Sequence, residues 1–173
     1  HAPRAAVATS AVHVTGPAAC GKSTLTKQCM YKLARPDVDA ERAVVPYRVA
    51  VIDVANTIQR NGLSKTDDIL GKHIEEQDPV FAAVLLAVRR ERRLLLVLDG
   101  IDEVGGARDV LEPYITEKLC REVYLCVTGR ENGIGQAARE EFRRNHFVPM
   151  QIKPLSTEQQ GHIIAGRPMK MIP

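Results

Sequence analysis

The chain has 173 residues, the size of one domain, with 45% hydrophobic residues, 26% charged residues and a net charge of +3. That balance excludes a disordered or fibrous chain, and the charge is too mild to argue for nucleic acid by itself. Aromatics make up 4% and tryptophan is absent, so the core must rest on Val, Leu, Ile and Ala, as in a sheet covered by helices on both faces.

The predicted elements alternate along the chain. Ala11 to Thr15 reads as a short buried strand running into a loop, Gly16–Gly21, and Lys22 to Leu33 reads as a helix. Arg35, Pro36 and Asp37 should end that helix, with polar loop as far as Arg42. Val44 to Val54 has the β-branched enrichment of a second strand, and Pro46 marks its start or an edge position. Asn61, Gly62 and Ser64 mark a turn. Asp68 to Glu76 reads as a short helix and Asp78-Pro79 as the start of another, from Val80 to about Arg92. Leu94 to Leu98 is continuous apolar sequence, expected of a strand buried on both faces. Ala107 to Leu119 predicts a helix that Pro113 should kink or interrupt. Val123 to Thr128 predicts a fourth strand, Gln136 to Arg144 a helix and Phe147 to Ile152 a fifth strand. Ser156 to Ala165 predicts a last helix capped by Ser156. Strands alternating with helices imply parallel pairing through right-handed crossovers, with ligands at the carboxyl ends of the strands.

The longest obvious apolar run, Phe81 to Val88, is far too short to span a membrane, and no targeting signal is visible. His1 and the abrupt Pro173 are expected to be cut ends of a longer parent, residues 1–10 being a tail or remnant. Cys20, Cys29, Cys120 and Cys126 form no CxxC pair and no zinc spacing, which favours a reduced, cytoplasmic protein.

The loop reads Gly16-Pro17-Ala18-Ala19-Cys20-Gly21-Lys22-Ser23, followed by Thr24. The pattern G-x-x-x-x-G-K-[ST], after an apolar strand and at the start of a helix, is built to cradle the phosphates of ATP or GTP in backbone N–H groups. Gly21 allows the tight backbone, Lys22 places a charge on the β and γ phosphates, Ser23 can ligate magnesium, and the helix dipole faces the anion. All nine residues are candidate nucleotide contacts. The fold this motif implies is α/β, a three-layer P-loop NTPase with a mostly parallel five-stranded sheet flanked by helices.

Asp99 ends the apolar third strand, where a bare carboxylate is costly; a magnesium ion held directly or through water is the expected compensation. Asp102 and Glu103 stand where a carboxylate orients or activates the attacking water, Glu103 being the preferred one. The plain alternative is that both cap the next helix. Arg130 follows the fourth strand. If that strand neighbours the loop strand, its guanidinium reaches the γ-phosphate region; otherwise it is a surface arginine. Arg89, Arg90, Arg92 and Arg93 read as a solvated helix end. His13 reads as a hydrogen-bonded core residue, and Cys20 as packing within the loop.

With these residues in view, the sequence resembles the NACHT group of STAND signalling ATPases. L-L-L-V-L-D-G-I-D-E-V over Leu94–Val104 carries the group's aspartate, small residue and two further acids. G-P-A-A-C-G-K-S-T-L, V-P-Y-R-V-A-V-I-D-V, V-T-G-R and P-L-S-T-E-Q follow in the family's order over about residues 11 to 165. Gly129 stands where the family usually has serine, and Gly166–Pro168 comes early for the family's adenine-side motif. The resemblance implies ATP/ADP and Mg2+ as cofactors, weak ATPase activity, and a switch that controls conformation or oligomerisation of a larger protein. It implies a core over 11–153 and the start of a further helical segment over 154–173. Partners would be the other domains of the parent chain and, at full length, further copies, with neither membrane nor nucleic acid. Two alternatives stay open: a kinase-like phosphotransferase, with Arg139, Arg143 and Arg144 as lid charges, and a non-hydrolysing nucleotide-binding scaffold.

Overall fold

Five strands pair in parallel in the order β2-β3-β4-β1-β5 in the computed structural model, which describes residues 11–34 and 44–165. The strands are β1 (Ala11–Thr15), β2 (Val45–Ala50), β3 (Leu94–Asp99), β4 (Tyr124–Gly129) and β5 (Val148–Gln151). Every pairing is parallel, so the sheet is wholly rather than mostly so. Seven α-helices among the described residues flank it: α1 (Lys22–Leu33), α2 (Val51–Asn61), α3 (Ile69–Gln77), α4 (Ala82–Arg90), α5 (Arg108–Pro113), α6 (Gln136–Arg144) and α7 (Thr157–Ile164). The expected tail over 1–10, the polar loop over 35–42 and the Gly166–Pro168 motif lie outside the described residues.

Alternation along the strands divides the side chains between two layers. Val49, Leu94, Leu96, Leu98, Leu125 and Val127 join the core cluster beneath α2 to α6. Val12, Val14, Leu95, Val97 and Cys126 point to the other face, against Leu25, Thr26 and Cys29 of α1. Helical crossovers bring each strand back parallel, so all carboxyl ends meet at one rim of the sheet.

The second strand ends sooner than its composition suggests. β2 stops at Ala50 and passes directly into α2, a helix the β-branched residues concealed. Val51, Val54, Ala55 and Ile58 are all buried, and their i, i+3, i+4, i+7 spacing is that of one helix face. Tertiary burial of that face overrides the strand preference of Val51, Ile52 and Val54. Pro46 does lie on an edge strand, as its missing N–H requires.

Pro113 acts as expected: α5 ends in it, and the chain continues as a π turn over Tyr114–Lys118 and a 3-10 turn over Leu119–Arg121. Asp68 caps α3 by accepting the Gly71 N–H at 3.2 Å. Ser156 and Gln159 cap α7 reciprocally, Gln159 N–H donating to Ser156 Oγ at 3.2 Å and Ser156 N–H to Gln159 Oε1 at 2.8 Å.

Two residues differ from their sequence readings. Arg89 is not solvated: it is 8% exposed and donates to both Asp68 oxygens and to Glu122, while Arg90 and Arg92 are exposed. His13 lies edge-on to Phe142 at 5.3 Å, and its buried Nε2 has no hydrogen-bond partner among the described residues. Burial, aided by the charge of Arg139, pushes the His13 imidazole down to about 4 from an ordinary value of 6.5. The unfolded chain therefore takes up this proton first on acidification. The stabilising contribution is whole above pH 6.5 and drains away as pH falls towards about 4. Urea unfolding at a series of pH values should show a shallower loss of stability in His13→Leu than in wild type across that window.

Candidate functional site

The loop after β1 is shaped by two backbone conformations that side chains resist. Gly21 has φ +92° and Ala19 has φ +58°. Cys20 packs inside the bend, where a Cβ added at Gly16 would meet its Sγ at 2.7 Å. No side chain caps the first turn of α1, so its N–H groups stay directed along the helix axis towards the loop. Lys22 folds back over the loop and donates to Gly16 O at 2.8 Å and Pro17 O at 2.7 Å, with Cys20 Sγ 3.8 Å away. Pro17, Ala18, Ala19, Ser23 and Thr24 are exposed on this rim.

β4 lies between β1 and β3, and its last residues complete the site. Thr15 pairs with Gly129, so Arg130 emerges beside Gly16. Thr128 Oγ1 donates to Asp99 Oδ1 at 2.5 Å and accepts the Gly100 N–H at 3.1 Å. Arg48, from β2, donates to Asp99 Oδ2. Burial pushes the Asp99 carboxyl up, but hydrogen bonds from Thr128, Arg48 and Ser23 outweigh it and leave it below the usual carboxylate range. Asp99 is therefore ionised at neutral pH although only 9% exposed.

Neither Arg48 nor Thr128 stood out in the sequence as a site residue. Arg48 sits mid-strand among Val and Tyr. Its only signal is parity, since a charged side chain on a half-buried strand must point at something of opposite sign.

The two acids after Gly100 part company. Asp102 accepts the Arg130 backbone N–H at 3.0 Å and pairs with Arg130 Nε at 3.1 Å. It holds the arginine instead of standing free for water. Glu103 is exposed, and its carboxylate has no hydrogen bond or ion pair among the described residues. Both lie in a 3-10 turn, Ile101–Glu103, without capping a longer helix by side chain. Gly129 has a steric reason to be glycine, because an added Cβ would lie 2.7 Å from Ile101 Cγ2.

Magnesium fits the donors present. Ser23, at the start of α1, and Asp99, at the end of β3, supply two hard oxygen donors beside the phosphate loop. Among the described residues no three of His, Cys, Asp or Glu gather into a metal cage, so remaining ligands would be phosphate and water. All four cysteines are free, and no helix among the described residues is long and apolar enough to cross a membrane.

The sequence matches the NACHT domain family over residues 10–167. Among solved structures it is similar to the Aeropyrum pernix ORC1 protein in complex with DNA, with TM-score 0.60 and 18% identity over 91% of this chain and 43% of that one. The likeness to PCH-2 of C. elegans has TM-score 0.45 and 13% identity over 84% of this chain and 36% of that one. The chain thus spans under half the length of either structure, and the first shows a shared fold alone. No curated protein matches the sequence.

Thr128→Val should remove the Asp99 Oδ1 donor and one of the two acceptors of the Gly100 N–H, which keeps the Thr128 carbonyl at 3.1 Å, while preserving the shape of the side chain. The expected cost is about 1–3 kcal/mol of unfolding free energy, read by urea denaturation with an unchanged slope. A loss below a few tenths would mean that water replaces the hydroxyl without penalty.

Proposed function

The chain belongs to the NACHT domain family of STAND P-loop NTPases, and from that membership we propose that it binds Mg-ATP and hydrolyses it slowly as the switch module of a larger protein. The observation that carries the reading is the convergence on one rim of the glycine loop, Lys22, Ser23, the ionised Asp99 and Arg130.

In this reading the backbone N–H groups from Gly16 to Ser23 hold phosphate oxygens, and Lys22 exchanges its two carbonyl acceptors for the β and γ phosphates. Ser23 and Asp99 hold magnesium, which when bound neutralises developing phosphate charge. Glu103, the carboxylate without a partner, orients the attacking water and accepts its proton. Arg130 senses the γ-phosphate and is aimed by Asp102, so the role first given to Asp102 becomes one of positioning. Turnover is slow because the exposed Glu103 is not held in a fixed geometry. Loss of the γ-phosphate would free Arg130, the local event a larger protein can read as a change of conformation or assembly.

The phosphotransferase reading fares worse. Arg139, Arg143 and Arg144 lie on α6, which crosses from β4 to β5 and packs through Ala138 and Phe142. The crossover puts Arg143 and Arg144, in its last turn, at the amino end of the sheet, away from the phosphate loop. The non-hydrolysing scaffold differs only in the contribution of Glu103.

Calorimetric titration of ATP, ADP and GTP with magnesium should show binding of the adenine nucleotides. Lys22→Ala should weaken it at least about tenfold, equivalent to ~1.4 kcal/mol. Binding unaffected by the substitution would overturn the assignment of the loop. Glu103→Gln should leave affinity within about twofold and abolish turnover; turnover at the wild-type rate would favour another base.

A further inference from the structure

Arg48 is an arginine with unfinished hydrogen bonding. It rises from β2 opposite Val97, on the face of the sheet that also carries Asp99 and α1. One terminal nitrogen donates to Asp99 Oδ2, its side chain is 28% exposed, and its buried Nε–H has no acceptor among the described residues. A guanidinium offers five donors in a rigid fork, and a structural arginine normally uses several of them. Arg89 in this same chain does so, engaging both Asp68 oxygens and Glu122. Arg48 leaves a donor unmade beneath the phosphate rim, so its place there is explained by charge and not by a finished network.

The charge it answers is that of Asp99. Oδ1 already accepts from Thr128 and Oδ2 from Arg48. A divalent cation bound to this carboxylate would be added next to a fixed positive charge in a half-buried place, where like charges repel strongly. Either the cation displaces the guanidinium or it binds poorly. We propose that Arg48 is a competing counter-charge, which holds Asp99 until a divalent cation takes it and so sets how much magnesium the site needs. The proposal rests on the reading of Asp99 as a cation ligand. It adds a threshold: on release, the Arg48 fork, with its free Nε–H, is available to phosphate oxygens on the same rim.

The test uses Mn2+ as the probe ion, a hard cation suited to carboxylate and water that is counted directly by its electron paramagnetic resonance. Mn2+ is titrated into the wild-type chain, Arg48→Gln and the double variant Arg48→Gln/Asp99→Asn, with and without ADP. Arg48→Gln keeps a hydrogen-bond donor for Asp99 and removes only the charge. It should bind Mn2+ at least about fivefold more tightly than wild type, the lower end of the coupling expected between competing ligands, and the gain should vanish in the double variant. Equal or weaker Mn2+ binding by Arg48→Gln, or a gain that survives Asp99→Asn, overturns the proposal. A merely structural arginine predicts loss of stability without tighter metal binding. Arg48→Met, which removes charge and donor together, is decided by the same comparison if the glutamine variant does not fold. Failure of every protein to bind ADP would remove the nucleotide reading, while the Mn2+ comparison would still decide the part played by Arg48.

Discussion

A carboxylate at the end of an apolar strand is stable only if something nearby answers its charge, and Asp99 follows five residues of unbroken Leu and Val. Two donors from two other strands converge on it, Thr128 from β4 and Arg48 from β2, and Ser23 of α1 adds to the stabilisation of its charged form. Strand order makes this possible. With β4 between β1 and β3, Thr128 lies alongside both the loop strand and the acidic strand. Were β3 next to β1, the threonine could not bridge them. The site is therefore a property of the sheet, with the loop as its most visible part.

The same middle strand sets the second layer of the site. Gly129 must be small because Ile101 and Asp102 press against it, and the closeness lets Asp102 reach both the backbone and the side chain of Arg130. The turn after β3 and the turn after β4 are thus one unit. Asp102 holds the arginine and Glu103 faces solvent, so adjacent acids that look alike in sequence differ in what they are free to do.

Legibility in the sequence followed how local each cause was. β1, the loop and α1 were readable to the residue, because an apolar strand, a glycine pattern and a helix start follow in continuous sequence. α6 was equally plain, and the effect of Pro113 follows from its missing N–H. α2 was hidden because its buried residues are also strong strand formers, and only burial against α3 and the sheet settles the choice. Asp99 could be singled out by its place at a strand end. Its actual partners could not, since the bonds to Arg48 and Thr128 join residues 51 and 29 positions apart. His13 Nε2 lacks a partner among the described residues for the same kind of reason: its neighbour, Phe142, comes from a distant helix and offers a ring instead of an acceptor.

The two faces of the sheet are not equally filled, and this bears on how a ligand would act. The core beneath α2 to α6 is continuous. On the other face, among the described residues, α1 buries only Thr26, and an apolar gap of roughly 570 Å³ lies between it and β1, β3, β4 and β5. Leu25, Tyr31 and Leu33 remain 41%, 74% and 38% exposed. Among the described residues, the polar contacts of α1 gather at its N-terminal end. There Gly21 O accepts the Leu25 N–H, Ser23 meets Asp99, and Lys22 lies over the loop. A phosphate held at that end would act on a helix with little other anchorage, and binding free energy spent there adds directly to the stability of the liganded form. Among the described residues, the contacts of α1 with the rest of the site are therefore concentrated at the end that opens onto the phosphate loop.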